Sequence, residues 1–118
     1  MLPQAKNAYL LFCVEREEAK HKPTMVIGAL RLNLHLPGVH SLKEKRSIVK
    51  SILQRLRNEF NVSTAEVDGQ ELHQRAVIGV ACVSGSDAYA QGLLESVLRW
   101  VEENRPDAPV IDYDIELL

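Results

Sequence analysis

The stretch MVIGALRLNLHLPGVHSLKE, Met25 to Glu44, decides the fold. From Val26 to Leu36 every even position is apolar or glycine: Val26, Gly28, Leu30, Leu32, Leu34, Leu36. The odd positions drift from Met25, Ile27 and Ala29 to Arg31, Asn33 and His35. A period of two marks a strand with one fully buried face. Pro37-Gly38 ends it. Ser41-Leu42-Lys43-Glu44 then has the spacing of a capping box, in which a hydroxyl and a carboxylate satisfy amides left unpaired at a helix start. The predicted helix begins at Leu42 and ends near Asn58. Leu42, Val49, Ile52, Leu53, Leu56 and Phe60 fall in one sector of a 3.6-residue wheel, so it lays one stripe on a core.

Downstream, Asn61 to Asp68 reads as a second strand, with Val62, Thr64 and Glu66 competing with Ser63, Ala65 and Val67 for the buried side. Asp68-Gly69 signals a turn, and the polar residues that follow favour a loop over a two-residue hairpin. Gln74 to Val83, rich in Val and Ile, is the third strand. Ser86 caps a second helix marked by Ala90, Leu93, Leu94, Val97, Leu98 and Val101, which Arg105-Pro106 terminates. Trp100 and Tyr89 on that helix are expected to pack. Val110 to Leu117 alternates apolar with acidic residues as a last strand. The order strand, helix, strand, strand, helix, strand predicts an α+β ferredoxin-like plait. A four-stranded antiparallel sheet carries both helices on one face and leaves the other open.

The 118 residues suit one domain, and 46% hydrophobic with 25% charged residues is ordinary globular composition. The net charge of -2 excludes bulk attraction to nucleic acid, so no binding to double-stranded DNA is expected and any anion site is local. Residues 1–24 are irregular in pattern. They are read as an N-terminal extension, either an amphipathic helix around Ala5, Ala8, Leu11, Phe12 and Glu15 or a mobile arm, ahead of a domain spanning 25–118. The apolar run Ala8 to Val14 is too short to span a membrane, and the charged residues after it do not resemble a cleavage site. Cys13 and Cys82 have no pairing pattern, which points to a reducing cytoplasm.

Three groups of residues are candidates for function. Lys43, Arg46, Lys50 and Arg57 share a narrow sector of the first helix, and Lys43 to Arg57 holds six basic residues and one acidic. Residues 87–118 hold eight acidic and two basic, so the chain is charge-polarised. A row of cations is either a solvated flank or a phosphate contact, the latter needing no base recognition. On the open face, Arg31, His35, His73 and Arg75 form a polar end bordered by Asp112 and Asp114. Ile27, Ala29, Val77, Ala81 and Val83 form an apolar patch there, whose expected cover is a second copy, with the first 24 residues as the other reading. His21, His35, His40 and His73 lack metal-ligand spacing, and no nucleophile or Gly-rich phosphate loop appears, so no metal, cofactor or catalytic residue is expected. The third strand lacks the stacking aromatics of an RNA-recognition motif, so any RNA contact is electrostatic.

The ordered segments Leu36-Pro37-Gly38, Ser41-Leu42-Lys43-Glu44-Lys45-Arg46, Phe60-Asn61-Val62-Ser63, Ala65-Glu66-Val67-Asp68 and Gln74-Arg75-Ala76 resemble the YlxP-like family, the domain of unknown function 503. The resemblance covers Met25 to Leu118. It departs at Gly69, where that family's pattern has His, and at His73, where it has Trp. It implies a small bacterial cytoplasmic protein of ferredoxin-like fold, encoded near translation and ribosome-maturation factors, with no established activity and no catalytic residues to transfer. The expectation is a non-enzymatic accessory factor that contacts ribosomal RNA or a ribosome-assembly partner through the basic helix. The alternative is a dimeric small-ligand or regulatory module using the open sheet.

Overall fold

Antiparallel ladders join four strands in the order β2-β3-β1-β4, with β1 at Val26–His35, β2 at Ser63–Asp68, β3 at Arg75–Ser84 and β4 at Val110–Leu117. Helices α1 (Leu42–Glu59) and α2 (Asp87–Asn104) complete the order βαββαβ. This computed structural model describes residues 25–118, and the expected N-terminal extension lies outside the described residues. Both β2 and β4 are edge strands, and β1 and β3 occupy the centre. Each helix links two parallel strands across the antiparallel strand between them, so the two crossovers interleave and the ferredoxin-like plait closes. No helix of the described residues is long and apolar enough to cross a membrane.

The core follows from the alternation in β1. Leu30, Leu32 and Leu34 are buried, and so are their neighbours Ala76, Ile78, Val80 and Cys82 on β3. Against this row pack Val49, Ile52 and Leu56 of α1 and Ala90, Leu94, Val97 and Val101 of α2. Each buried Leu or Ile contributes about 1.5–3 kcal/mol by leaving water. Both caps form as the sequence implies: Ser41 Oγ accepts from Glu44 N at 3.1 Å, and Ser86 Oγ accepts from Tyr89 N at 3.2 Å. The Glu44 carboxylate accepts from His40 N, one residue before the position that a standard capping box uses. The C-terminus of α2 is Asn104, and Arg105 N closes it on Val101 O.

Three expectations change. Strand β2 begins at Ser63, because Val62 N bonds Phe60 O at 3.0 Å and the Val62 side chain turns to the core. Pairing with β3 settles its sidedness: Thr64 registers with Val80 and Glu66 with Ile78, so both face the helices, while Ser63 and Ala65 lie on the open face. Tyr89 does not pack; it is 65% exposed, whereas Trp100 packs against the core.

Gly28 lies on the helix face, where an added Cβ would stand 2.9 Å from Leu94 Cδ1 and 3.2 Å from Cys82 Sγ. Leu94 is fully buried and has nowhere to retreat. Gly92, inside α2, has open space around the same position. Gly28→Val is therefore expected to destabilise by ~1–3 kcal/mol through overpacking, and Gly92→Ala to stabilise by ~0.5–1 kcal/mol through helix propensity. Urea unfolding of the two variants checks the opposite signs.

Candidate nucleic-acid interface

Helix α1 presents different chemistry around its circumference. The buried sector faces the sheet, and Lys43, Arg46, Lys50 and Arg57 all stand exposed on one side of it. At 1.5 Å per residue Lys43 and Lys50 are about 10 Å apart along the axis, with Arg46 between. Arg57 is engaged by neutral oxygens: Nη1 donates to Thr64 Oγ1 at 2.8 Å and Nη2 to Gln54 Oε1 at 3.0 Å. Among the described residues no carboxylate pairs with it, and its direction is fixed toward edge strand β2. No carboxylate lies within 4.0 Å of any of the four, since the ion pairs among the described residues are Lys45–Glu66 and Arg105–Asp107.

The remaining basic residues of the helix are diverted. Arg55 stacks over the Trp100 ring at 5.1 Å from its centroid, a cation–π contact joining the two helices. Lys45 is 1% exposed; its Nζ donates to the Gly69 carbonyl and meets Glu66 Oε2 at 2.9 Å. That carboxylate oxygen is buried and has the ion pair as its contact, at angles short of a hydrogen bond. Gly69 has φ +71°, a left-handed conformation that suits glycine, and its carbonyl also accepts from Leu72 N. One ammonium thus ties α1 to the β2–β3 turn. Lys45 lies at the centre of the apolar sector on the helical wheel, between the directions of Ile52 and Leu56. Its position there is the sequence signal that could have revealed it.

On the open face the structure brings together Arg31, His35 and Arg75. His35 registers with Arg75, Arg31 with Asp114, and Asn33 with Asp112. His73 does not join them, because β3 starts at Arg75 and His73 is exposed in the preceding loop. Gln74 fastens the β1–α1 loop: its carbonyl accepts from Leu36 N, continuing the β1–β3 register by one residue, and its side-chain amide donates to Val39 O at 3.0 Å. Ile27, Ala29, Val77, Ala81 and Val83 lie on this face as their parity requires, joined by Ala65 and Val67 of β2. No group of three or more His, Cys, Asp or Glu with metal-binding arrangement occurs among the described residues.

Residues 27–115 match the sequence profile of a family described as Protein of unknown function (DUF503). The chain is also 44% identical over 77 residues to "Uncharacterized protein YlxP" of Bacillus subtilis (strain 168), covering 65% of this chain and 84% of that protein. Neither description carries an enzymatic name.

The Lys45–Glu66 contact yields a double-mutant test. Lys45→Met leaves the Glu66 carboxylate, 16% exposed, without its cation and is expected to destabilise by ~2–4 kcal/mol. Lys45→Met with Glu66→Leu removes both charges and should recover most of that loss. Chemical denaturation of the two single variants and the double variant measures the coupling.

Proposed function

The chain belongs to the DUF503 family, and on that premise we propose that it is a non-enzymatic cytoplasmic accessory factor whose first helix contacts ribosomal RNA. One observation carries the reading: Lys43, Arg46 and Lys50 stand exposed on one ridge with no acidic partner among the described residues. The position of Lys43 adds to it. A cation in the first turn of a helix opposes the macrodipole, at a cost of about 0.3–1 kcal/mol, so the residue is not explained by the stability of α1. Phosphates are the natural complement of such a row, because a ridge of point charges neutralises a backbone without reading bases. Arg57, held toward β2 by Thr64, extends the row along the sheet edge. Cys82, a free buried thiol, accords with a reducing compartment. The gene context implied by the family resemblance favours ribosomal RNA over other polyanions.

Three phosphate contacts imply a slope of log affinity against log salt of about -2 for single-stranded RNA, at ~0.7 per contact. Lys43→Glu with Lys50→Glu should reduce that slope to about -0.7 or flatter, leaving Arg46 alone. Neither position is in the core, and Glu at position 43 agrees with the macrodipole, so thermal stability should be unchanged or slightly higher. Fluorescence anisotropy with ribosomal RNA fragments between about 50 and 200 mM salt decides the matter. Equal affinity of wild type and variant, or no binding at the lower salt, overturns the reading.

A further inference from the structure

Beyond its cations, the outer flank of α1 carries a regular alternation. Steps of four and three residues join Lys43, Ser47, Lys50, Gln54 and Arg57, all exposed, and at 100° per residue the five fall within a sector of about 80°. Cation and neutral hydrogen-bonding group thus alternate about every 5 Å along about 21 Å of helix. Ser47 differs from the other two serines of the helices. Ser51 Oγ accepts from Arg105 Nη1 at 3.1 Å and Ser96 Oγ donates to the Gly92 carbonyl at 3.0 Å, whereas the Ser47 hydroxyl has no partner among the described residues. Serine is a poorer helix former than alanine, so neither packing nor helix formation explains it. The flank also lacks stacking groups. Neither α1, β2 nor the turn between β2 and β3 contains Phe, Tyr or Trp; Tyr89 and Trp100 belong to α2 and Tyr113 to β4, and Phe60 packs against the core.

These features choose between forms of RNA. Single strands are held chiefly by stacking their bases on aromatic rings, which this flank does not offer. They also lose conformational freedom when laid along a rigid row, whereas a duplex is ordered beforehand. The packing of α1 excludes entry into a deep groove. Its apolar sector lies on the sheet and its other flank is joined to α2 through Arg55 and Trp100, so the helix does not project. A-form RNA presents a wide, shallow minor groove bordered by phosphates and displaying 2′-hydroxyls, which such a flank can cover. The minor groove of B-DNA, about 6 Å wide, is narrower than a helix of about 10–12 Å. Resting on the ridge reading above, we propose that the ligand of this flank is double-helical RNA, with Lys43, Arg46 and Lys50 on phosphates and Ser47 on a 2′-hydroxyl. A serine hydroxyl both donates and accepts, as the 2′-hydroxyl does. Gln54 is engaged with Arg57 and Asn58, which leaves Ser47 as the neutral contact between the two lysines.

Fluorescence anisotropy with the full 118-residue chain at about 100 mM salt compares an RNA duplex of about 16 base pairs, one of its strands alone, and a DNA duplex of the same sequence. The RNA duplex is expected to bind about tenfold or more tightly than either of the others. Ser47→Ala should weaken binding of the RNA duplex by about threefold, the loss of one neutral hydrogen bond. It should leave the salt slope unchanged, because a hydroxyl displaces no counterion, and the melting temperature should not fall, because alanine favours the helix. A single strand that binds as tightly as the RNA duplex, and loses that binding in Lys43→Glu with Lys50→Glu, keeps the ridge as an RNA site and overturns the duplex. A DNA duplex equal to the RNA duplex, or wild-type affinity in Ser47→Ala, overturns the minor-groove contact. Absence of binding to all of them removes the ridge reading and this one together.

Discussion

The row Leu30, Leu32, Leu34 on the central strand is the constraint on which the rest of the molecule depends. Side chains alternate strictly along a strand, so burying this row commits Arg31 and Asn33 to the opposite face. A slip of one residue would drive an arginine and an asparagine into the helices at prohibitive desolvation cost. With the central strand fixed, β3 and β4 inherit their parity through the ladders, and both helices have a single apolar surface to cover. The cationic ridge of α1 and the mixed charges of the open sheet therefore fall on opposite sides of the molecule.

Lys45 is the exception to an otherwise apolar interior, and it constrains what burial alone leaves loose. Hydrophobic packing tolerates small rotations of a helix on a sheet, whereas an ammonium that must reach both the Gly69 carbonyl and the Glu66 carboxylate permits few. Gln74 acts similarly at the neighbouring loop, where its amide and carbonyl hold the β1–α1 connection. Together these contacts fix the start of α1, where Lys43 and Arg46 emerge. A polar device inside the fold thus sets the position of charges on its surface.

Strand β1, both caps and the topology were legible because each rests on local rules: parity, Ser hydroxyls before helical periods, Pro and Gly at element ends. The apolar patch followed by the same parity. The buried side of strand β2 was not assignable from its own residues, since small and polar side chains stand on both sides and only pairing with β3 decides between them. Lys45 escaped notice because a lysine on a helix is ordinarily solvated, and its partners lie 21 and 24 residues further on in a strand and a turn. The nearness of His73 to Arg75 suggests the strand, but the pairing of β1 with β3 ends at Leu36 and Gln74 and leaves His73 in the loop.

The separation of charge also bears on how fast partners meet. With cations on α1 beside β2, and acids on α2 and β4 toward the opposite edge of the sheet, the molecule carries an electric moment along the sheet from the β4 edge to the β2 edge. A negatively charged body approaching within a few Debye lengths of about 8–10 Å exerts a torque that turns α1 toward it before contact. Random encounters then become preferentially oriented ones, and the gain appears in the association rate more than in the lifetime of the complex.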